Sequence, residues 1–182
     1  MSSQKLKLIP FGKHSDGSKY SLEAEVVFTE SKLKIIYLLR GNLEDLIIVP
    51  KKTGAGQIDD LWKSTCFEAF ISKKKSFRYI EWNFSSSQEW GFFAFESYRK
   101  AAPEKLIQSA PEMRIKRSKA DFVMEINLNL KENDSFFENA DPYEMGLSVV
   151  LKSRDGKQSY WAISHSGTKP DFHLRDTFKV QL

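Results

Sequence analysis

Apolar and polar residues alternate along several short stretches of this chain, and this alternation constrains its fold more than any other feature. Successive side chains of a β-strand point to opposite faces, so a period of two predicts a strand with one buried face. The stretch from Asp121 to Leu130 shows the period most clearly, with Glu125, Asn127 and Asn129 between its apolar positions. Those apolar positions are Phe122, Met124, Ile126, Leu128 and Leu130.

Two hairpins follow from the same period. Apolar side chains alternate over residues 22–28 and again over 33–39, and the short connection Thr29-Glu30-Ser31 separates the two runs. The turn dipeptide Asp155-Gly156 separates residues 146–152 from residues 158–164, which predicts a second hairpin.

Shorter elements are predicted where apolar runs or capping residues stand alone. Strands are expected at residues 46–49 and 177–182, and helical turns are expected around 104–108 and 135–138. Asp59 and Asp60 precede Leu61 and predict one capped helical turn there.

In total the chain contains about ten or eleven predicted short strands with regularly spaced turn signals between them. This pattern is typical of an all-β protein, and it predicts an antiparallel two-sheet β-sandwich of the immunoglobulin or jelly-roll kind. A chain of 182 residues suits one domain with a sizeable core, so we expect one domain over residues 1–182.

Residues 61–95 hold three of the four Trp residues and the single Cys66, and they read as a meander of three strands. One set of alternate positions is apolar and is expected to face the core: Phe67, Ile71, Ile80, Trp82 and Phe84. The other set brings Glu68 of the first strand onto the same face as Glu81 and Asn83 of the next, provided that the two strands are neighbours. The sequence therefore predicts a polar patch on the outer face of this meander.

Composition and charge exclude some classes of protein. The net charge of +4 is a mild excess, so nucleic-acid binding is not expected. No apolar run approaches the about 20 residues that cross a bilayer, so no membrane span is expected. Cys66 has no partner for an internal disulfide, and residues 1–10 lack the apolar segment of a secretory signal, so a cytoplasmic protein is expected.

The carboxyl groups of Glu68 and Glu81 admit two interpretations. They could act as the acid and base of a glycosidase if their spacing suits that reaction, or they could be structural acids held by hydrogen bonds. Trp62, in a loop, offers a flat apolar face and one N–H donor, which is the chemistry that stacks on a sugar ring. Trp90 and Trp161 offer the same chemistry, but a sandwich commonly buries Trp in its core.

The loop near the carboxyl end contains His165, Asp171 and His173. Two imidazoles and one carboxylate could bind a metal ion, or the same groups could tie the loop to a strand by hydrogen bonds. A haem would need an axial His or Met in an apolar pocket, and no spacing singles out such a pair. We therefore predict neither a metal site nor a cofactor.

Three motifs carry a resemblance to a known family: LWKSTCFEAFI, YIEWNFSSSQEWGFFAF and SYWAISHSGTKPDFHLRDTF. In this order they resemble DOMON-like domains related to family 9 carbohydrate-binding modules, especially a bacterial branch of single-domain proteins. The resemblance covers Trp62 to Phe178 and implies a β-sandwich whose members bind sugars or haem. The matching positions are Trp62, Glu68, Glu81, Asn83, Ser85, Trp90, His165, Pro170, Asp171, Phe172 and His173, whereas Ser86 stands where the family pattern has Pro.

These observations predict a non-catalytic module that binds a small molecule, most simply a carbohydrate or another polyol. Haem binding, glycosidase activity and a metal-dependent activity are the alternatives. Trp62 is expected to stack on the ligand, and polar side chains from strand ends and loops are expected to bind it. The predicted ligand-binding residues are Trp62, Glu68, Glu81, Asn83, Trp90, His165, Lys169, Asp171 and His173.

Overall fold

Twelve strands and four short 3₁₀ turns make up the regular structure in a computed structural model that describes residues 2–12, 19–29, 32–137 and 142–182. The strands are β1 (Ser2–Pro10), β2 (Tyr20–Thr29), β3 (Lys32–Gly41), β4 (Cys66–Lys73), β5 (Tyr79–Ser85), β6 (Trp90–Ser97), β7 (Lys100–Ala101), β8 (Glu112–Arg117), β9 (Asp121–Asn129), β10 (Tyr143–Lys152), β11 (Gln158–Ala162) and β12 (Val180–Gln181). The turns are Leu43–Asp45, Leu61–Lys63, Leu130–Phe136 and Arg175–Thr177. None of these helical segments is long and apolar enough to cross a bilayer.

The strands form an antiparallel β-sandwich, which confirms the predicted fold class. Their hydrogen-bonded order is β7-β6-β5-β4-β10-β11-β1-β2-β3-β9-β8, and β12 pairs with β10. β1 belongs to both layers, because residues up to Leu8 pair with β2 whereas Ile9 and Pro10 pair with β11. The first layer is therefore β1-β2-β3-β9-β8, and the second layer runs from β11 to β7.

Alternate side chains of both layers fill one core between them. The ring of Phe67 on β4 stacks on Phe122 on β9, with ring centroids 5.3 Å apart. The hydroxyl of Tyr37 on β3 donates a hydrogen bond to the backbone oxygen of Glu68 on β4 at 2.7 Å. The five meander residues expected in the core are all buried, namely Phe67, Ile71, Ile80, Trp82 and Phe84. The period of two thus assigns the inner face of this layer correctly.

The hairpins predicted from alternation are present. Leu33 lies opposite Phe28 in the β2–β3 pair, and the connecting residues Glu30 and Ser31 lie outside the described residues. Trp161 lies opposite Val149 in the β10–β11 pair, and Gly156 in the connecting turn has a φ of +88°, which glycine adopts without strain. The β8–β9 pair and the β4–β5–β6 meander are also antiparallel neighbours.

One short strand prediction is wrong, and another is confirmed only in part. Residues 46–49 form no strand, because Leu46 makes a single bridge to Ser153 and the chain then leaves the sheet. Only Val180 and Gln181 of the stretch 177–182 pair in a strand, and the preceding residues form the 3₁₀ turn Arg175–Thr177. The run of residues 46–49 is apolar without alternation, and such a short run does not by itself distinguish a strand from another conformation.

Two helical predictions also need correction. Residues 104–108 contain no helical turn, because Glu104 binds Arg78 and Gln108 binds Glu132 in an extended segment. Asp60 has a left-handed backbone at the start of the Leu61–Lys63 turn and makes no side-chain cap. Its carboxylate instead binds the ammonium of Lys63 at 2.5 Å. The turn predicted at 135–138 lies within the longer Leu130–Phe136 segment as far as the described residues reach.

Residues 164–178, which follow β11, cover the outer face of the second layer, and we call them the covering segment. Phe172 and Phe178 of this segment pack against Phe70 and Tyr79, which point outward from β4 and β5. Gly146 of β10 lies directly beneath Phe178, and a Cβ atom at this position would come within 2.9 Å of the ring. The absence of a side chain therefore allows the segment to lie close to the sheet, and this close packing builds the candidate site.

Candidate functional site

A cavity of about 410 Å³ lies between the outer face of the second layer and the segment that covers it. Residues from β4, β5, β6, β10 and β11 line it together with the 3₁₀ turn at Trp62 and the covering segment. The lining residues are Trp62, Glu68, Phe70, Glu81, Phe93, Phe95, Arg99, Val150, Tyr160, Pro170, Phe172 and His173. Six of these twelve carry an aromatic ring other than imidazole, so most of the wall is flat and apolar.

Two carboxyl groups form the polar part of the cavity wall. Glu68 on β4 is 3% exposed and Glu81 on β5 is 6% exposed. Glu68 lies opposite Asn83, and Glu81 lies opposite Phe70, so the two acids are diagonal neighbours on one face. Glu68 Oε2 accepts a hydrogen bond from Ser148 Oγ, and Glu81 Oε1 accepts one from Asn83 Nδ2, each at 2.8 Å.

Burial raises the pKa of both carboxyl groups. Desolvation is the main cause for each, because the charged form loses its hydration. The charge of Glu81 raises the pKa of Glu68 further, so the two acids do not readily ionise together. Burial and the same two carboxyl groups also raise the pKa of the neighbouring Cys66 thiol. The polar part of the wall therefore holds protons at pH values at which ordinary glutamates have lost them.

His173 faces this pair as a neutral imidazole. Its Nε2 lies 3.7 Å from Glu81 Oε2, and burial, helped by the nearby charge of Arg99, lowers its pKa to about 4. The hydroxyl of Tyr79 accepts the backbone N–H of Arg99 at 3.0 Å and lies 2.9 Å from His173 Nδ1. Because that hydroxyl has one proton to donate, we assign it to Nδ1 and place the imidazole proton on Nε2. His173 then presents an N–H group to the cavity.

Arg99 and Asp171 fasten the covering segment to the sheet. Asp171 Oδ1 accepts hydrogen bonds from Arg99 Nη2 at 3.0 Å and from the backbone N–H of His173 at 3.1 Å. The hydroxyl of Tyr98 donates to Asp171 Oδ2 at 2.6 Å. Partial burial would raise the pKa of Asp171, but these hydrogen bonds outweigh it and lower the pKa below its usual value. We call this set, Tyr98, Arg99 and Asp171, the Asp171 latch.

Trp62 forms one edge of the cavity and is 49% exposed. The buried side chain of the preceding Leu61 anchors its 3₁₀ turn, packing with Cys66 and Val150. The ammonium of Lys63 lies 5.3 Å from the centre of the indole ring. The indole face is therefore held near the opening and remains open to a ligand.

The structure brings most of the predicted ligand-binding residues together. Trp62, Glu68, Glu81 and His173 line the cavity, so the central meander and the distant loop near the carboxyl end meet at one site. Asn83 lies beside Glu81, and Asp171 holds the covering segment in place.

Three predicted residues lie elsewhere. Trp90 packs in the core with its ring 5.4 Å from that of Trp82, because its position in β6 shares the inward face with Phe92. His165 Nε2 pairs with the backbone oxygen of Ile9 at 2.9 Å, and Lys169 is exposed outside the lining of the cavity. None of these three side chains lines the cavity.

Several lining residues were not predicted. Phe70, Phe93 and Phe95 share the outward face with Glu68 and Glu81, so strand parity alone could have identified them. The same parity places Tyr160 opposite Val150 on this face. Arg99 carries no such signal, since it lies between β6 and β7 with a φ of +52°.

The described residues do not gather a metal site. No three His, Cys, Asp or Glu side chains among them are arranged to hold an ion. His165 and His173 are occupied by Ile9 and Tyr79, respectively, and Asp171 belongs to the latch. His173 is the one imidazole in the cavity lining, and its Nε2 faces the carboxyl group of Glu81.

A larger depression, of about 810 Å³, lies at the edge of the sandwich between β2, β3, β9 and residues 108–112. Trp82 is its single aromatic lining residue, and its other lining side chains are mostly solvated polar groups. We favour the smaller cavity as the functional site because aromatic faces and buried titratable groups converge there.

The backbone of the chain is similar to two solved structures. One is a proposed carbohydrate-binding protein from Bacteroides uniformis ATCC 8492, with a TM-score of 0.65 and 12% identity over 97% of this chain and 84% of that chain. The other is a family 9 carbohydrate-binding module from Caldicellulosiruptor kristjanssonii in complex with cellotriose, with a TM-score of 0.51 and 5% identity over 88% and 72% of the two chains. The chain has the fold of these proteins. No family model and no curated protein matches its sequence.

Proposed function

We propose that this protein is a non-catalytic carbohydrate-binding module and that the cavity beneath residues 170–173 is its binding site. The observation that carries the proposal is the convergence of six aromatic rings with Glu68, Glu81, Arg99 and His173 in one cavity. A sugar presents C–H groups that pack on aromatic faces and hydroxyl groups that need buried polar partners. Both similar structures support the proposal, since one is a proposed carbohydrate-binding protein and the other contains cellotriose.

The size of the cavity indicates a short ligand. Small-molecule sites commonly span roughly 300–1,000 Å³, and about 410 Å³ lies near the lower end of that range. We therefore propose that one or two sugar rings enter the cavity. Trp62 at the opening would stack on the outermost ring, since its indole is exposed there.

The polar side chains would divide the recognition of hydroxyl groups between them. Glu68 and Glu81 accept hydrogen bonds and, when protonated, also donate one. The Nε2–H of His173 and the guanidinium of Arg99 add donors to the cavity wall. The Asp171 latch keeps these donors in position, so the site is largely formed before the ligand arrives.

The direct test is a calorimetric screen of the purified protein against a panel of mono- and disaccharides. Binding of at least one sugar in the micromolar to millimolar range would support the proposal. An absence of heat from every sugar at millimolar concentration would reject it.

We also propose that the chain belongs to the DOMON-like branch related to family 9 carbohydrate-binding modules. The motif positions that carry the resemblance meet around one cavity, which supports this assignment. Six of them line it: Trp62, Glu68, Glu81, Pro170, Phe172 and His173. A sequence search seeded with close homologues, once these are collected, would test whether the branch retains the same lining residues.

Glycoside hydrolysis is a second candidate, favoured by the buried carboxyl pair alone. A carboxyl group with a raised pKa can donate a proton to a leaving oxygen at neutral pH. The test is release of the chromophore from aryl glycosides, compared between the native protein and Glu81→Gln. Turnover that the substitution abolishes would establish an enzyme, and equal background rates would exclude this candidate.

A further inference from the structure

Glu68 and Glu81 lack a cationic partner within the part of the chain that the structure describes. The nearest basic group is the imidazole of His173, 3.7 Å from Glu81 Oε2, and burial keeps that ring neutral. Arg99 is the one guanidinium among the described lining residues; its charge partly offsets the raised pKa of both acids, but its ion pair is with Asp171. Buried carboxyl groups in folded proteins are normally paired with a cation or fully hydrogen-bonded, so this pair is chemically incomplete.

Asn83 adds a third incomplete acceptor on the same face. Its side chain is 1% exposed, and its Nδ2 donates to Glu81 Oε1 at 2.8 Å. This contact directs Oδ1 away from Glu81, and Oδ1 has no hydrogen-bond partner among the residues that the structure describes. Asn83 lies directly opposite Glu68 in the strand pair. When the two carboxyl groups are ionised, the polar patch therefore has more hydrogen-bond acceptors than donors.

Aromatic rings surround this patch. Phe70, Phe93 and Phe95 extend from the sheet, and Tyr160 and Phe172 close the other side. The negative faces of aromatic rings attract a cation that lies within about 6 Å of their centres. An ammonium group has three N–H donors and no acceptor, so it would donate hydrogen bonds to the unpaired acceptors and balance the carboxylate charge.

We propose that the ligand is an amino sugar whose protonated amine binds between Glu68, Glu81 and the rings around them. This inference rests on the proposed carbohydrate-binding function and narrows it to one class of sugar. The amine would lie deep in the cavity, and the ring carbons would point toward Trp62 at the opening.

Proton exchange follows from the charges that face this pair. The carboxyl pair is faced by Arg99 from the β6–β7 connection and by Asp171 and His173 from the covering segment. Within the strands it is flanked by Cys66 on β4 and Tyr79 on β5. Without ligand, repulsion and burial keep a proton on the pair. An arriving ammonium stabilises the carboxylates, so the pair releases its proton to the buffer.

The test compares three sugars that differ at one position: glucosamine, N-acetylglucosamine and glucose. Calorimetry is carried out in slightly acidic buffer, where the free amine is charged, and is repeated in a second buffer with a different ionisation enthalpy. We expect glucosamine to bind at least about tenfold more tightly than the other two, because they lack its charge. We also expect proton release with glucosamine alone.

Substitutions test whether Glu68 and Glu81 cause the preference for glucosamine. Glu81→Gln and Glu68→Gln should each remove the preference for glucosamine, whereas Glu23→Gln on the outer face of the first layer should keep it. Equal affinity for glucosamine and glucose would overturn the inference and leave the proposed function standing. If none of these sugars and none of the screened panel binds, the proposed function and the inference both fail.

Discussion

Glu68 and Glu81 are the residues at which the needs of the fold and of a ligand conflict. A buried carboxyl group without a cation costs the folded state free energy once it ionises. The chain nevertheless places two of them side by side, where Ser148 donates a hydrogen bond to Glu68 and Asn83 donates one to Glu81. Because the empty site lowers the stability of the fold, a ligand that pairs with these carboxyl groups removes that cost when it binds.

This arrangement predicts an unusual dependence of stability on pH. Because the carboxyl pKa values are raised in the folded state, the ligand-free protein should lose stability as pH rises from 6.5 to about 8. Below pH 6.5 the lowered pKa of His173 contributes stability that rises with pH, because its imidazole loses a proton when the chain folds. Urea unfolding should show a loss of roughly 1–2 kcal/mol across the upper window.

Glu81→Gln is the matched variant for this measurement. It removes one titrating group and retains an oxygen that can accept from Asn83, so its stability should fall less steeply over the same window. A native protein whose unfolding free energy stays constant over this range would contradict the raised pKa values.

Trp62→Ala should separate binding from stability. The indole is half exposed, so its loss should change the free energy of unfolding by about 0.5 kcal/mol or less. Sugar affinity should fall about tenfold or more, because ring stacking is lost. Phe77→Ala is the control, since Phe77 is 79% exposed and lies outside the cavity lining. Equal loss of affinity in both variants would show that Trp62 does not stack on the ligand.

Residue positions were predictable from the sequence where a strand fixes which way a side chain points. Alternation placed Glu68, Glu81 and Asn83 on one face, and the strand pairing confirms it. Loops have no such period, so the contacts of His165 with Ile9 and of Arg99 with Asp171 were not predictable. Their partners lie far away in sequence, and only the folded chain brings them together.

The covering segment, residues 164–178, contains one short 3₁₀ turn and otherwise no regular structure. Side chains therefore hold it in place. The Asp171 latch fixes its middle, and the ring of Phe178 packs on the face of the sheet above Gly146. Such a segment can open locally at a lower cost than the strands beneath it.

Asp171→Asn should loosen this segment. The amide removes the charge that binds Arg99, and charged hydrogen bonds contribute more than neutral ones. Backbone amides of residues 165–175 should exchange with deuterium about tenfold faster, as a loss of about 1.4 kcal/mol implies. Amides of β4 and β5 should change little.

Asp155→Asn provides the comparison, because Asp155 bonds Ser153 and Lys157 in a turn away from the cavity. Unchanged exchange in the covering segment of Asp171→Asn would mean that packing of Phe172 and Phe178 holds it without the latch.

Among the elements, long alternating strands were predicted well and short ones were not. The β2–β3 pair and strand β9 were evident because many residues repeat the pattern. Residues 46–49 do not alternate, and residues 177–182 alternate over three apolar positions only, of which Val180 lies in the short strand β12.

For the molecule as a whole, the two layers behave as one unit because polar contacts and the core join them. The hydroxyl of Tyr37 crosses from β3 to the backbone of β4 beneath the site, and it is fully buried. Tyr37→Phe should therefore lower the free energy of unfolding by about 1 kcal/mol, the usual contribution of one buried hydrogen bond. Urea unfolding measures this loss, and an unchanged midpoint would show that the contact contributes nothing.

The sandwich was predictable from alternation and turn spacing, but the neighbours of each strand were not. β4 lies between β5 and β10, which is more than 70 residues farther along the chain. The period of two describes which side of a strand is buried and contains no information about a distant partner. The cavity depends on these distant pairings, so its outline emerged only from the folded structure.

The change of partner along β1 also bears on how the protein is made. Ile9 must pair with Ala162, so the seam between the layers cannot close during translation until Ala162 has been synthesised. Residues 170–173, which cover the cavity, are synthesised later still. Pairings this far apart in sequence slow folding. A nascent chain that has not reached these residues therefore carries an unsealed sandwich, and it cannot enclose a ligand until residues 170–173 have been made.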